Sequence, residues 1–170
     1  MKRFAFVAAA GLLAASNLLY APAAQAQSKN EQQIRALEDN FILAVKARDL
    51  DAIMKMYVPG NELFVFDISP PRQYVGFDAY RKDWKAFLDM AKGPVHAEIS
   101  DLSITTDGKL AYSHSMQHLS FTTADGSPFE FNARVTDCYR KVDGKWLVTV
   151  ESVSVPVDMA TGKADMASKP

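Results

Sequence analysis

The sequence has a single cysteine, Cys138, in 170 residues. No intramolecular disulfide can form, so packing alone has to hold the fold. Cys138 falls inside a strand-like run and reads as a small buried hydrophobe rather than a nucleophile. Net charge is scarce too: 19 Lys and Arg against 20 Asp and Glu leave −1. The basic residues are dispersed, without a stripe or cluster, which argues against nucleic acid as a partner. A Gly-rich phosphate loop, a cysteine–histidine dyad and a serine-nucleophile motif are all missing, and no cofactor is expected. Of three histidines, His114 and His118 share a strand face but would lie roughly 13 Å apart, too far to share one metal. No metal site is expected.

Long apolar runs are also few. One begins after the basic Met1-Lys2-Arg3 and extends from Phe4 to Leu19, with Ser16 and Asn17 as its polar breaks. Ala24-Gln25-Ala26 follows as a small-x-small cleavage site. This is the pattern of a secretory signal peptide, too short and wrongly flanked for a lasting membrane anchor. The expected division is residues 1–26 as signal peptide, 27–156 as one domain and 157–170 as a tail, with a periplasmic or secreted location. A mature chain of about 144 residues is enough for one domain with a real core.

What the chain has in plenty is pattern. Residues 28–48 place Ile34, Leu37, Phe41, Ala44 and Val45 at helical spacing, with Glu31, Arg35, Glu38 and Lys46 mostly off that stripe. A short second helix repeats the spacing with Leu50, Ile53, Met54 and Tyr57, and Pro59-Gly60 stops it. Leu63–Phe66 is a brief apolar strand that delivers Asp67. A third helix runs from Phe77 to about Ala91, with Tyr80, Trp84, Phe87 and Leu88 on one face. Then come four long strand patterns, 95–105, 110–122, 129–141 and 145–155, joined at Asp107-Gly108, Asp125-Gly126 and Asp143-Gly144. Asp-Gly between such runs signals sequential antiparallel hairpins. Helices first and a meander afterwards give an α+β fold, with three N-terminal helices covering a curved antiparallel sheet. The tail is expected to be exposed or docked along an edge.

This order resembles the cone-shaped nuclear-transport-factor-two-like fold. Arg48-Asp-Leu-Asp-Ala-Ile-Met-Lys-Met-Tyr57, Val75-Gly-Phe-Asp-Ala-Tyr80, Arg134-Val-Thr-Asp137 and Gly144-Lys-Trp146 resemble segments of SnoaL-like proteins and of the calcium/calmodulin-dependent kinase association domain. The resemblance covers about residues 30–156. It implies a cavity inside the cone, a small-molecule ligand and a homodimer, with a secreted SnoaL-like subfamily as the nearest match. Function in such a superfamily is set by the site and not by the fold.

By order along the chain, Asp67 falls where ketosteroid isomerase carries its general-base aspartate. A carboxylate at the lip of an apolar cone can have a raised pKa and move protons; the plainer alternative is a loop carboxylate capping backbone N–H groups. The isomerase's oxyanion donors are not matched. The tyrosine's place holds Phe41, and the acid's place falls at about Thr136, or at Asp137 after a one-residue slip. SnoaL-like relatives often carry histidines where this chain has Val150 and Ser152. Arg134 and His118 would sit roughly opposite each other, facing inward to bind a carboxylate or carbonyl oxygen, or else Arg134 would pair with Glu151 or Glu130. Tyr57 and Trp84 belong to the core or the pocket wall, with Tyr57 the residue expected to show a hydroxyl to a ligand. The expected ligand-binding set is therefore Arg134, His118, Tyr57, Trp84, Thr136 and Ser152, with Asp67 as the candidate catalytic residue. Three functions stay open: a binder of a small, partly apolar molecule, an isomerase- or lyase-type enzyme using Asp67 as base, and a non-catalytic oligomerisation module.

Overall fold

The computed structural model describes residues 28–168. The expected signal peptide and its cleavage site lie outside the described residues.

Helix α1 (Lys29–Ala47) starts on a reciprocal cap: Ser28 Oγ accepts from the Glu31 N–H at 3.2 Å, and Glu31 Oε2 accepts from the Ser28 N–H at 2.7 Å. It ends at Arg48 in the left-handed conformation, φ 55°. Its buried seam is Ile34, Glu38, Phe41, Ala44 and Val45. Glu38, expected off the apolar stripe, lies on it, one turn from Ile34 and from Phe41, because i+4 and i+3 steps land on one face. Helix α2 (Leu50–Met54) is capped by Asp49, whose Oδ1 accepts from the Ala52 N–H at 3.0 Å.

Strands β1 (Phe64–Phe66) and β2 (Tyr74–Val75) precede helix α3 (Phe77–Met90). The long strands are β3 (Ala91–Thr106), β4 (Leu110–Thr123), β5 (Pro128–Val142) and β6 (Lys145–Ser154). They form one six-stranded sheet in the order β2-β1-β6-β5-β4-β3. The sheet is mixed, not purely antiparallel: β1 runs parallel to β6, pairing Val65 with Glu151, while the meander β3–β6 is antiparallel throughout. The β5–β6 turn has two residues, Asp143 at φ 48° and Gly144 at φ 79°, the doubly left-handed turn that Asp-Gly favours.

The helices cover one face of the sheet, where the fully buried side chains include Ile34, Ile53, Tyr57, Val65, Tyr80, Tyr139 and Val148. In β5 the inward residues are Ala133, Val135, Asp137 and Tyr139, while Arg134 and Thr136 are exposed on the other face. Strand β6 carries a bulge: Cys138 pairs with Val150, but Tyr139 pairs with Val148, leaving Thr149 as the extra residue. Trp146 and Val148 face inward before it, and Glu151 does so after it. An unbroken strand 145–155 would keep Trp146, Val148, Val150 and Ser152 on one face; the bulge at Thr149 splits it. Cys138 is half-buried on the outer face rather than in the core.

The tail docks along an edge. Val157 bridges Ala164, and the Asn132 N–H then donates to the Met166 carbonyl at 2.9 Å, past the end of β6. Among the described residues no helix is long and apolar enough to cross a membrane.

Candidate functional site

The helices and the inner face of the sheet enclose a cavity of about 560 Å³. Its wall is largely aromatic and aliphatic, with Phe41, Trp84, Phe87, Phe129, Phe131 and Val153 among the lining residues. Phe87 anchors the wall, meeting Trp84, Phe121, Phe129 and Phe131 edge-on at centroid distances of 5.5–6.4 Å. Ala164 and Met166 bring the tail to the same space.

A patch of acid and phenol makes the floor. Glu151, 4% exposed, lines the cavity because the β6 bulge turns it inward. Two tyrosine hydroxyls donate to its carboxylate: Tyr57 to Oε2 at 2.8 Å, and Tyr80 to Oε1. Tyr57 is placed by main-chain bonds between the end of α2 and β6, from the Val58 N–H to the Val148 carbonyl and from the Val148 N–H to the Met56 carbonyl, both 2.9 Å. Tyr80 comes from the first turn of α3 and meets the Tyr57 ring edge-on at 5.2 Å. Asp137 is the register partner of Glu151 across β5–β6. Glu38 reaches in from α1 and accepts from the Tyr139 hydroxyl, which also lies 2.8 Å from Ser113 Oγ.

Three carboxyl groups are thus buried together with no cation among their hydrogen-bond partners. Glu38 Oε2 and Asp137 Oδ1 have no hydrogen-bond partner at all. Burial pushes the Glu38 carboxyl from 4.5 up to about 7, against the hydrogen bond from Tyr139 and with the charge of Glu151 adding to the rise. Burial does the same to Glu151, also to about 7, opposed by its tyrosine donors. Asp137 is raised well above the usual carboxylate range by burial and by the two neighbouring acids. In a low-dielectric interior the neutral form wins unless an opposite charge arrives.

Asp67, at the end of β1, lines the cavity. Its Oδ1 accepts from the Ile68 N–H at 2.5 Å and the Ser69 N–H at 3.4 Å, the loop-capping role. Burial and the nearby Asp83 raise its pKa despite those bonds. Asp83 itself accepts from the Tyr74 hydroxyl at 2.5 Å.

The structure brings Asp67, Trp84 and His118 to the cavity and leaves the other expected residues out of it. His118 has its Nδ1 3.0 Å from Asn132 Oδ1 and 3.8 Å from Glu130 Oε1. Arg134 is exposed on the outer face, paired in register with Met116 and Ser154, and forms no ion pair with Glu151 or Glu130 among the described residues. The physical reason is parity: Val135 and Tyr139 are the apolar members of β5 and take the core face, so Arg134 and Thr136 are turned out. Thr136 pairs with Ser152 on that outer side. Tyr57 lies behind the floor with its hydroxyl engaged by Glu151. Glu38, Glu151, Tyr80 and Tyr139 are not among the expected site residues, and Asp137 is the one that a one-residue slip brings in.

A SnoaL-like domain model matches residues 34–158. The chain belongs to the SnoaL-like domain family. An NTF2-like protein of unknown function from Pseudomonas putida is 31% identical, with 83% of this chain and 96% of that one covered and a TM-score of 0.74. Two more distant solved structures share the fold. A putative scytalone dehydratase from Novosphingobium aromaticivorans is 15% identical, with 83% and 92% of the chains covered and a TM-score of 0.67. A putative calcium/calmodulin-dependent protein kinase II association domain from Xanthomonas campestris is 19% identical, with 76% and 91% covered and a TM-score of 0.62. No curated protein matches the sequence. The SnoaL-like match and the fold agree with the helix–meander order that the sequence itself implies.

Proposed function

We propose that this SnoaL-like protein is exported and binds one small, mostly apolar molecule inside the cone. The observation that carries the reading is the cavity of about 560 Å³ with a phenylalanine wall and, at its floor, the buried carboxyl of Glu151 backed by Asp137 and Glu38. Such a space suits an apolar body with one polar group. Thermal unfolding against a panel of cyclic ketones, alcohols, amines and carboxylates tests it. A true ligand at a hundred times its Kd stabilises the protein by about 2.7 kcal/mol, and Val153→Trp, which fills the cavity, removes that gain. A panel that leaves the melting temperature unmoved contradicts the reading. Export is tested by recovering the protein from the periplasm of a bacterial host with its N-terminus at Gln27; retention of residues 1–26 speaks against it.

Asp67 favours a second reading, proton transfer of the isomerase or lyase type, because it lines the same cavity with its carboxyl raised by burial. Asp67→Asn then abolishes turnover of a bound ketone and leaves binding intact. The outer face of the sheet supports a homodimer, since exposed Tyr112, Arg134 and Thr136 are left uncovered there. Sedimentation equilibrium at micromolar concentration separates dimer from monomer.

A further inference from the structure

The charges around the cavity are of one sign. Asp67, Asp83 and Glu151 line it, and among the described residues no lysine or arginine does. Behind Glu151 stand Asp137 and Glu38, each 1% exposed and each with one carboxyl oxygen lacking a hydrogen-bond partner. His118 lines the cavity too, with its Nδ1 beside Asn132 and Glu130.

This inventory sorts ligand heads by chemistry. A carboxylate or phosphate would leave water for a wall of acids, with no cation to meet it. A neutral carbonyl can take the Trp84 Nε1–H, a donor on the lining that has no partner, but it brings no charge to the acids, whose donors are the Tyr57 and Tyr80 hydroxyls on Glu151 and the Tyr139 hydroxyl on Glu38. An ammonium group brings donors and a positive charge to Asp67, Asp83 and Glu151 on the lining, while the unmet oxygens of Glu38 and Asp137 lie behind Glu151. Ring faces along the wall add cation–π attraction for a desolvated cation.

Resting on the binding reading above, we propose that the ligand is a hydrophobic amine: a protonated ammonium set against Glu151, with an aromatic or aliphatic body along the phenylalanine wall. Binding supplies the positive charge that the buried acids lack, so the cation enters as the floor gives up a proton to solvent. The groups facing Glu151 are Tyr57 beyond α2, Tyr80 on α3, Asp137 on β5, Asp67 beyond β1 and, from α1, Glu38. None of them is cationic, so titration of the floor is a contest between neutral acid and bound cation.

The test is calorimetric titration of the whole chain with phenylalkylamines of increasing length, each beside its isosteric alcohol and carboxylate. The amines stay protonated between about pH 6 and about pH 8. The best amine binds at least about tenfold more tightly than its alcohol at pH 8, and the carboxylates do not bind. Amine affinity rises about tenfold from pH 6 to pH 8 as the ionised fraction of a floor acid near 7 grows. Proton release appears as a buffer-dependent enthalpy. Glu151→Gln loses the amine preference, and its cooperative urea unfolding reports that it folds. Alcohols or ketones that bind better than amines, or more weakly as pH rises, overturn the amine and leave the cavity reading standing. Amine binding that ignores both pH and Glu151→Gln overturns the proposed head position. If no probe binds and Val153→Trp behaves like wild type, the cavity reading fails and the amine with it.

Discussion

The wall and the floor of the cavity are built on opposite physical terms. Phe87, Phe121, Phe129 and Phe131 hold one another by edge contacts and one stacked pair, Phe121 with Phe129 at 4.8 Å. Nothing in that wall titrates. The floor gathers Glu38, Asp137 and Glu151 with Tyr57, Tyr80 and Tyr139, and each carboxyl is kept toward neutrality by burial. The wall gains from water leaving it. The floor sacrifices stability at high pH to keep acids where a ligand can meet them. A buried polar cluster that folding alone would not select is a reason to look for function there.

The largest expected effect breaks this contrast through pH. For Glu38 and Glu151 the folded chain holds protons that the unfolded chain, with carboxyls at 4.5, has released. Stability is then greatest below about pH 4.5 on this account and falls as pH rises towards 7. A rise from 4.5 to about 7 corresponds to about 3 kcal/mol per group. Urea unfolding of Glu38→Gln and Glu151→Gln should show each variant gaining on wild type at about pH 8 and losing that advantage at about pH 5. Parallel curves for wild type and variants would erase the distinction between floor and wall.

A smaller effect sharpens it. Tyr139→Phe removes a donor to Glu38 and the contact with Ser113. It should cost about 2 kcal/mol by denaturant unfolding, since a buried acceptor is left unmet. Phe129→Leu in the wall should cost about 1 kcal/mol, with no pH dependence. Least of all, Arg134→Ala on the outer face should change monomer stability by less than about 0.5 kcal/mol and leave cavity binding untouched.

That last residue shows where reading from sequence ends. The helices, the meander and the Asp-Gly turns are legible because each rests on local pattern. The site was harder because its parity depends on a bulge. The two-residue turn pairs Val142 with Lys145, and an unbroken ladder from there would set Asp137 against Val150. The extra residue at Thr149 moves the partner to Glu151 and turns that acid inward. Threonine in a β-rich run carries no mark of a bulge. Within β5, the hydrophobic Val135 and Tyr139 flanking Asp137 did point to the inner face, and the polar Asp137 concealed it. Glu38 was hidden in the same way, a charged residue at a core position of α1. Trp84 and Asp67 were within reach because helical spacing and the end of an apolar strand placed them.

Carboxyl carbon NMR of the floor acids, followed from about pH 4 to about pH 9, addresses the account at its root. Glu38 and Glu151 should titrate near 7, and addition of an amine that binds should pull Glu151 back toward ordinary carboxylate values. Titration of both at about 4.5 in the free protein would mean that burial does not hold these acids neutral, and the contrast between floor and wall would collapse.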